Sequence, residues 1–338
     1  MPKAIVLGCA GVTLGDDERR FFAELDPLGF ILFARNCETP QQVSQLTQDL
    51  RASVGREDAP ILIDQEGGRV ARLKPPHWPL FPPMQKFGDL ARHDRLAAIE
   101  ACQLNAALIG FELSALGIDV DCAPVLDLPV PGAHDVIGDR AFSSDPLLVA
   151  DLGRAVCEGL KEAGVISIIK HIPGHGRATV DSHKELPRVA ASLPELGHTD
   201  FVPFQRLADA PWAMVAHVLY DALDSANPVS TSATAIQFIR QTLRFEGILI
   251  ADDIGMQALA GSLTERASAT LAAGNDLTLH CSGVLAEMIE LASAITDITP
   301  MTAERLARGR AGLGHIKKED VAQLRARLEE LMEAGVSA

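Results

Sequence analysis

Three observations predict a single (β/α)8 barrel for this 338-residue chain. Short apolar runs recur about eight times, helical patterns long enough for crossovers fill the intervals, and no Gly-rich dinucleotide turn follows the first run. In order, the runs are Ala4–Gly8, Phe30–Phe33, Ile61–Asp64, Ile118–Cys122, Val165–Lys170, Trp212–Ala216, Ile248–Ala251 and Asp276–Leu279. Their apolarity is continuous rather than alternating, which suits strands covered on both faces, as in a parallel sheet. The first turn, Gly8-Cys9-Ala10-Gly11, lacks the spacing that cradles a pyrophosphate, so a doubly wound sheet fits less well than the TIM-barrel arrangement.

Between Arg95 and Leu116, the residues Leu104, Leu108, Phe111 and Ala115 repeat at helical spacing. Val321, Leu324, Leu328 and Leu331 do the same in a last helix over Glu319–Ala334, with Gly335 as its stop. No Pro/Gly/Ser-rich linker interrupts the β/α rhythm, so residues 1–338 read as one domain of a size common for such barrels.

Composition narrows the function classes. Apolar residues make up 47% and charged residues 22%, the profile of a soluble globular chain. A formal net charge of −15 repels phosphate backbones and anionic lipid, so neither nucleic acid nor a membrane is an expected partner. The six cysteines are scattered, with no C-x-x-C pair, and read as reduced core residues. The start, MPKAIVLGCAG, faintly resembles a lipoprotein cleavage site, but its apolar stretch is shorter than the roughly 7–15 residues of a signal core and reads as a first strand. No run approaches the roughly 18 apolar residues of a membrane span, and the expected compartment is the cytoplasm.

In a barrel the reactive face lies at the carboxyl ends of the strands, so polar residues just after each apolar run are site candidates. Asp64 follows Ile61-Leu62-Ile63, Lys170 and His171 follow Val165–Ile169, His217 follows Met214-Val215-Ala216, and Asp252 follows Ile248–Ala251. Each has a plainer reading. Asp252 or Asp253 suits the N-cap of a helix over Gly255–Ala260 as well as it suits a site, and His217 alone fits a satisfied structural histidine better than a catalyst. In Asp181-Ser182-His183, an extended backbone sets the two outer side chains on one side, roughly 7 Å apart along the chain. A carboxylate there can fix the imidazole tautomer and raise its basicity, which makes an acid/base pair; the tripeptide in isolation fits a helix cap or Asx turn, with His183 on a solvated loop, better.

The stretch KHIPGHGRATVDSH at 170–183 resembles the K-H-[FI]-P-G-H-G-x4-D-S-H signature of family 3 glycoside hydrolases of the bacterial β-N-acetylhexosaminidase type. IDQEGGRVARL at 63–73, VIGDRAFSSDP at 136–146 and LRFEGILIADDIGM at 243–256 agree with the same family in the same order. The resemblance implies a (β/α)8 barrel that removes terminal β-linked N-acetylglucosamine with retention of configuration. It implies Asp252 as nucleophile, His183 as acid/base with Asp181 as its partner, and Asp64, Arg72, Arg140, Lys170 and His171 as residues that hold the sugar. A muropeptide of GlcNAc-1,6-anhydroMurNAc is the substrate it suggests, in peptidoglycan recycling. One departure is visible: Ala251 stands where the family commonly has Ser or Thr before the nucleophile.

These residue types suit that chemistry. A retaining glycosidase needs a carboxylate on one face of the anomeric carbon and a proton donor near the leaving oxygen, typically about 5–5.5 Å apart. The scheme asks for no metal or organic cofactor and for no obligate protein partner. A neutral imidazole base does not repel an anionic acceptor as a carboxylate would, so phosphorolysis at the same site is an alternative; production of sugar 1-phosphate at high phosphate tests it. Rivals are a metal-dependent hydrolase using His171, His175, Asp181, His183 and His217, substrate-assisted hydrolysis through the acetamido oxygen, and a sugar-binding barrel without catalysis.

Overall fold

The computed structural model describes residues 1–130, 132, 137–178, 180, 182 and 185–334. Ten strands appear in chain order: β1 (Lys3–Gly8), β2 (Pro27–Leu32), β3 (Ile61–Ile63), β4 (Val120–Asp121), β5 (Ile166–Ile172), β6 (Arg188–Val189), β7 (Trp212–Val215), β8 (Leu219–Tyr220), β9 (Ile248–Asp253) and β10 (Leu277–His280). Eight of them close into a parallel barrel in the order β1-β2-β3-β4-β5-β7-β9-β10. Each barrel strand overlaps one of the apolar runs, so the (β/α)8 expectation holds. The remaining pair, β6 and β8, forms a small parallel sheet in the loops above β5 and β7.

Two apolar layers explain the continuous apolarity of the strands. Ala4, Val6, Leu62, Ile166, Ile168 and Ile250 belong to a cluster that fills the barrel. Ile5, Leu7, Ile61, Ile63, Ile169 and Leu249 belong to a second cluster shared with the surrounding helices. Successive side chains point to opposite faces of a strand, so a strand wrapped inside and out needs an apolar residue at every position.

The crossover helices start where sequence chemistry says they should. Asp94, Thr39, Ser262 and Thr299 accept first-turn N–H groups at the starts of helices Arg95–Ser114, Pro40–Ser53, Leu263–Ala272 and Pro300–Arg310. Helix Arg95–Ser114 is long and apolar enough, by length and composition, to cross a membrane, contrary to the sequence expectation that no segment is. It packs against helices Pro146–Glu162 and Val321–Ala334, and its buried residues include Ala98, Cys102, Asn105, Ile109 and Leu113, whereas Ala115 of the expected stripe is exposed. The last helix starts at Val321, two residues later than expected, and Gly335 lies outside the described residues. Cys9, Cys102, Cys122 and Cys157 are buried thiols, but Cys37 and Cys281 are only partly covered, so the expectation of six core cysteines is corrected at those two positions.

Candidate active site

The alternation that fills the barrel also aims the polar residues at its mouth. Leu62 faces inward, so Asp64 does too; Ile166 and Ile168 carry the same parity to Lys170, and Ile248 and Ile250 carry it to Asp252. The β5–β7 register shifts between Lys170 and Ile172, and this lets the consecutive residues Lys170 and His171 both line the same cavity. Asp64, Arg72, Arg140, Lys170, His171 and Asp252 all border that cavity, which measures about 200 Å³ and is floored by the barrel core. Every sugar-binding candidate and Asp252 are thus brought together.

Beneath the mouth the charges interlock. Lys170 Nζ donates to Asp64 Oδ1 at 2.8 Å and contacts Glu66 Oε1 at 2.6 Å, although its side chain is only 2% exposed. Arg140 grips both oxygens of Glu66, each at 2.8 Å, and Arg72 donates to Asp64 Oδ2 at 2.9 Å. Burial by itself would raise the carboxyls of Asp64 and Glu66, but the cations around them hold both below the usual carboxylate range. Burial likewise opposes the charge on Lys170, and Asp64 and Glu66 outweigh it to keep the ammonium protonated. Asp121, behind the cluster, has no cation bonded to it among the described residues, and burial pushes its carboxyl up to about 7.

The turn between Asp64 and Arg72 folds back because Gly67 and Gly68 take φ of 96° and 57°, values that side-chain-bearing residues rarely adopt. Buried Gln65 then ties the returning chain, accepting from the N–H groups of Arg72 and Leu73 at 2.8 and 3.1 Å. This places the Arg72 guanidinium 5.2 Å from the centre of the Phe33 ring, at the cavity edge.

A second network lies beside the first. Asp127, buried in the loop after β4, accepts from the backbone N–H of His171 and of His175 and bonds His171 Nδ1 at 2.6 Å. That bond orients the His171 ring and leaves Nε2 as its remaining polar atom. His175 Nε2 meets Ser182 Oγ at 3.0 Å, and both residues border the cavity. Burial and the neighbouring His171 push the His175 imidazole down to about 4, so it is neutral at physiological pH.

At the end of β9 the two aspartates diverge. Asp253 Oδ1 accepts from Gly255 N at 2.9 Å and Cys281 N at 3.2 Å, and residues 255–260 form turns rather than the helix considered for them. Asp252 receives a single hydrogen bond among the described residues, from Asp253 N at 2.8 Å. His217 is structural in its contacts: Nδ1 bonds Ser230 Oγ at 2.7 Å and Nε2 the Asp253 carbonyl at 3.1 Å. Ala251 shares the parity of Leu249 and faces the helical layer, away from the cavity. Asp181 and His183 lie outside the described residues.

A model of the glycosyl hydrolase family 3 N-terminal domain matches residues 7–308. The chain belongs to glycosyl hydrolase family 3. Among its curated relatives, the β-hexosaminidase of Thiobacillus denitrificans is 40% identical over 314 residues, 90% of this chain and 85% of the relative. That of Hydrogenovibrio crunogenus is 36% identical over 93% of this chain and 90% of its own length. Among solved structures, NagZ from Neisseria gonorrhoeae in complex with N-trifluoroacetyl-D-glucosamine superposes with a TM-score of 0.87 at 30% identity, covering 99% of this chain and 98% of that one. This family 3 chain is a glycoside hydrolase of the β-N-acetylhexosaminidase type.

Two residues of these networks escape a reading of strand ends. Glu66 lies two residues past Asp64 and enters only because the Gly67-Gly68 turn doubles back; its signal was a carboxylate next to paired glycines. Asp127 is six residues beyond the end of β4, and no local pattern marks it. Among the described residues no group of three His, Cys, Asp or Glu side chains converges as a metal site, and Asp181 and His183 of the rival metal reading lie outside them.

Proposed function

We propose that this chain is a retaining exo-β-N-acetylglucosaminidase that works through a covalent glycosyl-enzyme. The observation that carries the reading is the aim of Asp252 into a small cavity whose floor is already lined with clamped hydrogen-bonding groups. About 200 Å³ is below the roughly 300–1,000 Å³ of pockets for larger ligands, which favours a single terminal ring over an internal segment of a chain. Asp64, an acceptor kept ionised, Arg72, Arg140 and Lys170, donors at the same mouth, and His171, whose Nε2 is left open by its bond to Asp127, suit a ring rich in hydroxyls.

In this reading Asp252 Oδ attacks the anomeric carbon as the bond to the leaving oxygen breaks, and His183 gives that oxygen its proton. His183 then takes a proton from water, whose oxygen displaces Asp252 and restores the β configuration. Asp181 fixes the tautomer of His183. The substrate we propose is GlcNAc-1,6-anhydroMurNAc, with or without its peptide, turned over in the cytoplasm during peptidoglycan recycling. A fluorinated, slowly released N-acetylglucosaminide supplies the test. Mass spectrometry of a digest should find the sugar on the peptide containing Asp252; a sugar-free enzyme that turns the substrate over through its own acetamido oxygen would overturn the covalent step. Comparing kcat/KM for the anhydro-muropeptide and for a chitooligosaccharide tests the substrate assignment.

A further inference from the structure

The arch that rises from β5 has two halves with different anchorage. In the first half Gly174, His175 and Arg177 are tied. Gly174 accepts the Tyr220 hydroxyl at 2.7 Å, His175 N–H donates to Asp127 at 2.7 Å, and Arg177 is gripped by Asp200 and Glu195, each at 2.7 Å. Gly176 presses so closely on the Leu128 carbonyl that a Cβ there would lie 1.8 Å from its oxygen. In the second half Ser182 is buried, with two hydrogen bonds: its carbonyl accepts from Ala258 N at 3.2 Å and its hydroxyl meets His175 Nε2 at 3.0 Å.

We infer that His175 is a positioning residue for the acid/base segment, acting through Ser182, the residue between Asp181 and His183. The inference rests on the reading that those two residues deliver the proton. His175 Nδ1 is buried and has no partner among the described residues. A neutral ring therefore carries its proton on Nε2, because an orphaned buried N–H costs more than an unused lone pair. Nε2–H then donates to Ser182 Oγ. The donor stands on the half of the arch that Asp127, Tyr220 and the ion pairs of Arg177 immobilise, so the bond ties Ser182 to that half. Proton transfer is sensitive to such placement: an error of about 1 Å in a reacting group can cost roughly 100-fold in rate.

Leaving-group dependence separates positioning from a merely structural role, since a glycoside whose leaving group departs unprotonated does not need the acid. The experiment measures kcat/KM for two N-acetylglucosaminides, one with a dinitrophenyl and one with a sugar leaving group, in His175→Phe, Ser182→Ala, His175→Gln and His183→Ala. We expect His175→Phe and Ser182→Ala each to slow the sugar substrate by roughly 10- to 100-fold and the dinitrophenyl substrate by less than about threefold. The double variant should be no slower than the worse single one, and His175→Gln, which keeps an N–H donor, should recover much of the rate. Equal slowing of both substrates, or additive losses in the double variant, overturns the inference. Ser182→Ala, which removes one oxygen, decides alone if His175→Phe does not fold. His183→Ala is the reference: if it lacks leaving-group dependence, the acid/base reading falls and the inference with it; if it shows it and the other two do not, only the inference falls.

Discussion

Lys170 at the barrel rim is almost wholly buried yet keeps two carboxylates within 2.8 Å, whereas Ser182, ten or so residues on, is held by two hydrogen bonds between uncharged groups. The rim is stiff because removing any one charge strands another in a low-dielectric setting. Ser182 is anchored more lightly, at about 1 kcal/mol for a neutral hydrogen bond, than the first half of its own arch, where Arg177 is paired with Asp200 and Glu195. The two regions divide the labour. Lys170 and His171, proposed to recognise the ring, are preorganised on β5, and Asp64 just past β3, where waiting charges need no rearrangement, whereas the group proposed to move a proton twice is the sequence neighbour of a serine that a modest interaction holds.

The most severe test of the rim is Asp252→Ala. If its carboxylate is the nucleophile, kcat/KM on a chromogenic N-acetyl-β-glucosaminide should fall on the order of 10⁴-fold or more, with an unchanged melting temperature because Asp252 receives one hydrogen bond only. A loss of less than tenfold would move the chemistry elsewhere. Next comes a pair of variants that weighs the two regions directly. Glu66→Gln leaves Lys170 and Arg140 short of a countercharge and should cost about 3–5 kcal/mol in urea unfolding. Ser182→Ala should cost about 1 kcal/mol in the same assay. Equal losses would mean that rim and arch are not anchored differently at all.

A gentler probe uses Asp121, the carboxyl that burial raises from 3.8 to about 7. Between those values the folded protein keeps a proton that the unfolded chain releases. The contribution of this group is therefore fully present below about pH 4 and is lost as pH rises through 7. Asp121→Asn preserves shape and removes the titration. Its melting temperature relative to the parent should rise between pH 5 and pH 8, at roughly 2–4 °C per kcal/mol gained. A difference that stays flat with pH would show that Asp121 is already ionised beside Lys170.

Which of these residues could be read from sequence follows from how each reaches the cavity. Asp64, Lys170 and Asp252 are the next inward positions after apolar residues on their strands, so a period of two finds them, and with them the barrel itself. Asp253 borders the cavity as well, where the register of β9 against β10 shifts between Leu277 and Leu279, so the period alone does not separate the two aspartates and it is the family motif that implies Asp252. Asp127 and Glu66 depend on loops folding back over the mouth, and the bonds that draw them in, to His171 and Arg140, join residues 44 and 74 positions apart. Long-range pairing of this kind leaves no local period to detect.

The same parity gives the smallest expected effect, at Ala251. A hydroxyl before the nucleophile would be expected to support the carboxylate if it pointed toward the mouth. Position 251 instead pairs with Val215 and faces the helical layer, fully buried. Ala251→Ser would therefore bring a polar group into apolar surroundings, at roughly 1–3 kcal/mol unless it finds an acceptor on its own strand or a neighbouring helix. Asp252 already takes its hydrogen bond from the following backbone N–H, which the substitution does not touch. The expected outcome is kcat/KM within about twofold of the parent, well under 1 kcal/mol in transition-state terms, with a small drop in melting temperature. A rise in kcat/KM of tenfold or more, with that temperature unchanged, would mean that a hydroxyl at 251 reaches the Asp252 carboxylate and that Ala251 is a handicap the rest of the rim does not make up.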